Sequence, residues 1–260
     1  SLGGDLDYRD GIDVYIESAT IDYDGIDDYL STSSFIEGSS QVTIMAWVNS
    51  DLGNTTDMVI AGEDSGCKLW LKNGNKPSFT IKTAGNSEET VDFGTITQQK
   101  WHHISGSYNS SSGSLKLYVD GEFVASKNIS NSAVIENTSN SNGNFEIGRL
   151  STNGGTNNQY FKGSIDEVRV FDLELTDEQI QQMIYQEIEN NSGNVAGTVI
   201  PKNISDMSLG NTVLWSNLIA YYPMTNILTS KATDESINNH TLALHNITTV
   251  QEQTAPMPYV

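Results

Sequence analysis

Three sets of side chains in this sequence are of types that do chemistry. The first is acidic. Asp24, Asp27 and Asp28 crowd the segment YDGIDDYL at residues 23–30, and Asp166 lies far downstream in FKGSIDEVRVF at 161–171. Calcium is a hard cation that takes about six to eight oxygens from carboxylates and carbonyls at loops and strand ends. Acids gathered without a cation repel one another. Asp24, Asp28 and Asp166 are therefore the expected ligands of a structural Ca2+ ion; the plainer alternative is that they cap turns and solvate an edge.

The second set is Asp57, Glu63 and Asp64 with the loop 153–159, in which Asn153 and Asn157 stand out, and with Trp70 and Tyr160 as aromatic surface. Sugar recognition uses an aromatic face against the C–H side of a ring, and amides or carboxylates for its hydroxyls. These residues are the candidate ligand site. Each taken singly also reads as part of a polar loop beside core aromatics, and Trp70 sits in an alternating run that can face inward. The third set is Trp47, Trp101, His102 and His103. Successive strand side chains point to opposite faces, so His102 and His103 cannot build one site and are expected to be structural. There is no G-x-S-x-G elbow, no H-E-x-x-H and no phosphate-cradling glycine loop.

Short strands must position these groups. Residues 42–48 (VTIMAWV) form a continuous apolar run that suits a strand covered on both faces. Residues 68–72 and 78–82 flank the turn Asn73-Gly74, and residues 115–119 and 122–126 flank Asp120-Gly121. Such dipeptides tolerate the positive φ of a tight hairpin. Runs at 145–150 and 161–171 follow. Many strands with no intervening helices indicate an antiparallel sandwich or jelly roll. One helix is expected. Thr176 with Gln179 forms a capping box, and Ile180, Met183, Ile184 and Ile188 make an apolar stripe that ends at residues 190–193. The character changes after Gly193, so residues 12–192 are taken as one sandwich and 193–260 as a small β-rich tail.

Acidic residues outnumber basic ones 33 to 13, for a net charge of -20. Phosphates would be repelled, which argues strongly against nucleic acid and anionic membranes as partners. The lone Cys67 excludes an internal disulfide and a zinc–thiolate cluster, and is expected to be packed. No apolar run is long enough for membrane insertion, and no targeting signal is present, so export is an expectation from fold and composition.

The segments YDGIDDYL, VTIMAWV, KWHHISGSY (100–108), LKLYVDGEFVAS (115–126) and FKGSIDEVRVFDLELTDEQI (161–180) resemble, in order, the bacterial laminin-G-like, concanavalin A-like domain family. The resemblance implies two antiparallel sheets packed face to face, with the first strand beside the last. That placement would let Asp24 and Asp166 meet. It also implies that the WHH segment is a strand with its Trp in the core. Laminarinases and agarases share this general fold, but their paired catalytic acids, written Glu-x-Asp-x-x-Glu, are missing here, so no enzyme is expected. The tail resembles the segment that follows such domains in large surface proteins of gliding bacteria exported by the type nine system. It resembles equally the opening of another such domain, so it is either a partial repeat or a strand supplement. The implied function is a calcium-stabilised, non-catalytic adhesion or carbohydrate-binding module, secreted or on the bacterial cell surface. Its partners would be a glycan or cell-surface ligand and neighbouring domains of the same protein. A structural spacer or assembly domain is the alternative, with a glycoside hydrolase behind both.

Overall fold

A computed structural model describes residues 6–7, 20–63, 66–85, 88–130, 133–136, 143–150, 159–225, 227–228, 230–251 and 255–256. In chain order the strands are β1 (Leu6–Asp7), β2 (Thr20–Asp24), β3 (Tyr29–Ser33), β4 (Gln41–Ser50), β5 (Met58–Glu63), β6 (Cys67–Lys72) and β7 (Lys76–Lys82). Next come β8 (Glu88–Asp92), β9 (Trp101–Asn109), β10 (Ser114–Val119), β11 (Glu122–Asn128), β12 (Asn144–Ile147) and β13 (Lys162–Phe171). Helix α1 (Asp177–Met183) follows, then β14 (Ile188–Asn191), β15 (Asn194–Gly197), β16 (Leu218–Tyr222), β17 (Ile227–Leu228), β18 (Lys231–Ala232), β19 (Leu242–His245) and β20 (Thr249–Gln251).

Two antiparallel sheets result. The first runs β1-β20-β2-β13-β4-β9-β10-β11, with β16 also paired to β13; the second runs β17-β18-β19-β3-β12-β5-β6-β7-β8. Both expected hairpins form, with Asn73, Gly74, Asp120 and Gly121 all at positive φ. Between the sheets lies the main core, which includes Ile44, Ala46 and Val48 of β4, Phe79 of β7, and Val168 and Val170 of β13. Burying each of these side chains other than Ala46 contributes roughly 1.5–3 kcal/mol. Gly106 in β9 lets the sheets approach, since a Cβ there would fall 2.2 Å from Phe79 Cγ.

The segment after Gly193 is built into this sandwich. β16 extends along the second half of β13, from Val168 to Phe171, while β2 takes the first half, from Lys162 to Ile165. β19 pairs with β3, and β20 pairs with β2. The tail therefore contributes strands to both sheets.

The first sheet is covered on its outer side as well. Met45 of β4, Tyr118, Phe171, helix α1, the β14–β15 hairpin and Trp215 form a second apolar cluster there. This is why residues 42–48 are apolar without alternation. The capping box at α1 forms as expected, with the Thr176 side chain accepting from the Gln179 amide. The helix itself is shorter than expected. It closes at Ile184, and Ile188 opens β14 instead of a further turn. Ser192 and Gly193 adopt positive φ, which suits a tight hairpin turn, so the backbone pairs there instead of continuing the helix. Ile180, Met183, Ile184 and Ile188 are nonetheless buried together.

A charged residue holds this outer layer down. A bulge between Asp166 and Arg169 puts one extra residue in β13, with Glu167 at φ 53°. Beneath the helix, Arg169 is fully buried. It donates to Met183 O at 2.8 Å, to Gln186 O at 2.7 Å and to Glu167, which also accepts from the Tyr221 hydroxyl of β16. Burial acts to lower the Arg169 pKa, and the adjacent Glu167 carboxylate outweighs it, so the guanidinium stays charged. Removing one partner of a buried ion pair costs about 3–5 kcal/mol. Arg169→Met is expected to lose that much unfolding free energy in urea, followed by tryptophan fluorescence; a loss under about 1 kcal/mol would refute this role.

Candidate functional site

The acids come together differently from expectation. Asp24, Asp27 and Asp28 place one carboxylate oxygen each within 4.8 Å of one another. The chain turns between β2 and β3, and the turn itself uses these acids: Asp24 Oδ1 accepts from the amides of Ile26 (2.7 Å) and Asp27 (3.2 Å), and Asp28 Oδ2 from that of Asp24 (3.0 Å). Burial raises Asp28 to about 6; the Asp24 amide offsets part of this, and the charges of Asp24, Asp27 and Asp22 add to it. The hard oxygens at this spot fit a cation.

Asp166 is not in the group. The expectation that β2 and β13 are neighbours holds, but the register sets Asp24 opposite Lys162 and Asp166 opposite Trp47 on β4. The buried Asp166 carboxylate instead accepts from the amides of Glu167 (2.9 Å) and Ala255 (3.1 Å). Its pKa is held high, first by burial and then by the charge of Glu167.

Nor do the expected rim acids share a rim. Asp57 lies just before β5 and accepts from the Asn73 amide at 2.9 Å, which braces the β6–β7 turn. Glu63 ends the same strand, six residues away, so the two stand at opposite ends of β5. Glu63 also points inward, against Cys67 across the pair. Its Oε1 accepts from the amides of Phe35 and Ile36 (2.8 Å for the latter). Asp64, Asn153 and Asn157 lie outside the described residues.

Trp70 and Tyr160 both lie towards the outer face of the second sheet, linked through Lys68 and Gln159. Trp70 faces outward from β6 but is only 8% exposed, with Val59 and Leu150 packed beside it. Its Nε1 donates to Thr80 Oγ1 at 2.9 Å, and Lys68 Nζ stands 4.6 Å over its ring. Lys68 also donates to Gln159, next to Tyr160. Arg149 donates to the Tyr160 hydroxyl (3.3 Å) and to the buried Glu146 (2.8 Å). The same guanidinium stacks 3.3 Å from the Tyr29 ring, and His245 of β19 stacks on Tyr29 at 4.2 Å. Two groups that close cannot share one face, so both faces of Tyr29 are occupied. Burial and the Arg149 charge lower the His245 pKa, which keeps the imidazole neutral beside the cation.

This face carries a polar floor: Ser31, Lys68, Arg149, Gln159 and Tyr160, flanked by Thr80 and Thr90. Among the described residues no helix packs over it, in contrast to the first sheet. Sequence reading included Gln159 in the candidate loop and missed Lys68 and Arg149. Lys68 was open to discovery, since it shares strand parity with Trp70; Arg149 and His245 were not, because only the pairing of β3 with β12 and β19 brings them to Tyr29.

The histidines are structural. His102 Nδ1 pairs with Asp120 at 2.8 Å, and His103 is buried edge-on to Trp47, where burial and the charge of Arg169 lower it to about 3. Trp47 is buried under the helix, donating to Ile184 O at 2.7 Å, whereas Trp101, at the start of β9, is only partly buried and is no core residue.

The fold defines a class: an antiparallel two-sheet sandwich in which, among the described residues, a helix packs over one sheet and none over the other. Residues 24–181 match the model of the Concanavalin A-like lectin/glucanases superfamily, and the chain belongs to that superfamily. It is similar in structure to a "putative carbohydrate binding protein" of Bacteroides ovatus, with 18% identity and a TM-score of 0.64 over 93% of this chain and 61% of that one. It is also similar to the heptameric SAP-like pentraxin of Limulus polyphemus, with 16% identity and a TM-score of 0.51 over 65% of this chain and 82% of that one. A third likeness is the NanB sialidase of Streptococcus pneumoniae, with 14% identity and a TM-score of 0.50 over 70% of this chain and 30% of that one. No curated protein sequence matches the chain. No described helix is long and apolar enough to cross a membrane.

Glu63 offers a check on this geometry. Burial raises it from 4.5 to about 7 against the pull of the Phe35 and Ile36 amides. Between those values the folded chain keeps a proton that the unfolded chain has lost, so stability falls as pH rises through that window. Glu63→Gln retains an acceptor for both amides and cannot ionise. From about pH 5 to about pH 8 the unfolding free energy of the variant should gain roughly 1–3 kcal/mol on that of the parent. Parallel pH profiles in urea melts would contradict it.

Proposed function

We propose that this chain is a non-catalytic carbohydrate-binding module that carries its ligand on the open face of the second sheet. The observation that carries the reading is the asymmetry of the sandwich: one outer face is sealed by apolar packing, and the other presents Ser31, Lys68, Arg149, Gln159 and Tyr160. Hydroxyl, amide and cationic donors on a sheet suit sugar hydroxyls, and Tyr160, partly exposed with Arg149 5.9 Å from its ring, adds an aromatic. The likeness to the Bacteroides ovatus protein supports the same direction. The role is adhesion or glycan capture by an exported surface protein, and neighbouring domains of that protein are its further partners.

Structural calcium belongs to the proposal. Asp24 and Asp28 would hold the ion, with Asp27 in the place expected of Asp166. The spacer reading is favoured by one observation, the occupation of both faces of Tyr29, which leaves little aromatic surface for a sugar.

A glycan array decides between the two. At least one glycan should be retained, and Tyr160→Ala and Lys68→Ala should each weaken it by about tenfold or more without shifting the melting temperature. Retention of none favours the spacer. For the ion, calcium chloride in place of chelator should raise the melting temperature by about 5 °C, at a calcium concentration far above Kd. Asp24→Asn with Asp28→Asn should abolish that shift, and an equal shift in the double variant would remove the ion from this turn.

A further inference from the structure

Helix α1 and the chain beyond it enclose a pocket on the side of the molecule away from the glycan face. Side chains of the helix, and of Gln186 just beyond it, strap the segment 198–208 in place. Gln182 donates to Ser205 O (2.7 Å) and accepts from Ser205 N (3.2 Å), Gln186 accepts from Ile200 N (2.9 Å), and Glu178 accepts from Met207 N (2.8 Å). Between these straps lies a cavity of about 520 Å³, walled by Tyr185, Val199, Ile200, Ile204 and Met207. Tyr185, Ile200 and Met207 are 50%, 64% and 74% exposed. Large apolar side chains grouped at a preformed hollow mark an interaction site more often than chance exposure does.

A second hollow of about 370 Å³ shares Glu178 with the first and is lined by Glu174, Asp177 and Asp206, with Lys116 as its cation. Lys116 is already paired with Glu174 at 2.9 Å. Asp177, Glu178 and Asp206 share this lining, and Lys202 lines the first cavity, so over the two hollows acids outnumber lysines four to two.

We propose that the two hollows form one docking site for a segment of a partner protein that carries a large apolar side chain next to lysine or arginine. The apolar cavity takes the anchor, and the acidic hollow takes the cation. Charge selects this occupant. A second copy of the chain brings its own net charge of -20 and is repelled. Ile200 and Met207 offer no hydrogen bond to a sugar hydroxyl, so the apolar wall suits an apolar anchor better than a glycan.

The test uses the whole chain and two short dye-labelled peptides read by fluorescence anisotropy. One carries a tryptophan followed by three lysines, and the other has glutamates in place of the lysines. The lysine peptide should bind with a Kd on the order of 10–100 µM and weaken several-fold as sodium chloride is raised. The glutamate peptide should bind at least about tenfold more weakly. Ile200→Asp and Met207→Asp should each cost the lysine peptide about tenfold or more; Ile200→Ser and Met207→Ser replace them if either melts early. Glu178→Gln keeps an acceptor for the Met207 amide and should flatten the salt response. No binding of the lysine peptide, equal binding of both peptides, or unchanged affinity in the Ile200 and Met207 variants would overturn the proposal. Glycan retention is read separately on the same variants and should not change.

Discussion

One buried charge organises the outer layer of this molecule. Arg169 sits in the middle of the first sheet, where water cannot reach it, and its guanidinium needs partners that water would otherwise supply. It finds them in the carbonyls of Met183 and Gln186, at and beyond the end of helix α1, and in Glu167, which in turn takes the hydroxyl of Tyr221. The helix, the hairpin behind it and strand β16 are thereby tied to one point of β13. The bulge at Glu167 makes this possible, since it lets β13 turn from β2 to β16 along its length.

The two faces of the sandwich differ as a consequence. The first sheet is packed on both sides, so Trp47 and His103 are structural however reactive their types look. The second sheet keeps an outward face on which cations and aromatics stack: Arg149 on Tyr29, His245 behind it, and Lys68 on Trp70. Stacking gives the face rigidity and costs it aromatic surface. Under the proposed reading, a ligand there meets hydroxyl, amide and cationic donors and the Tyr160 ring beside Arg149.

Acids in this chain divide by the company the fold gives them. Asp24, Asp27 and Asp28 are close because they share one turn, and their mutual repulsion remains available to a cation. Asp166 and Glu63 are taken up by backbone amides, and burial holds both above the ordinary carboxylate range. Repulsion at the turn is a local property of the sequence, whereas the fate of the other two depends on what packs around them.

Much of the architecture was legible in the residues themselves. The positive-φ dipeptides Asn73-Gly74 and Asp120-Gly121 set two hairpins, the unbroken apolar run of β4 announced burial on both sides, and Thr176 with Gln179 capped the helix. These are effects between near neighbours, carried by backbone preference and side-chain period. The sequence also determined that Asp24, Asp27 and Asp28 would crowd one another. Only the tertiary structure decided that Asp24 faces Lys162 and not Asp166, that Glu63 turns inward, that Ile188 belongs to a hairpin, and that Arg149 reaches Tyr29 and Tyr160. Strand register and the pairing of distant segments are set by the sum of many weak contacts across the whole core, and no short window of residues contains that sum.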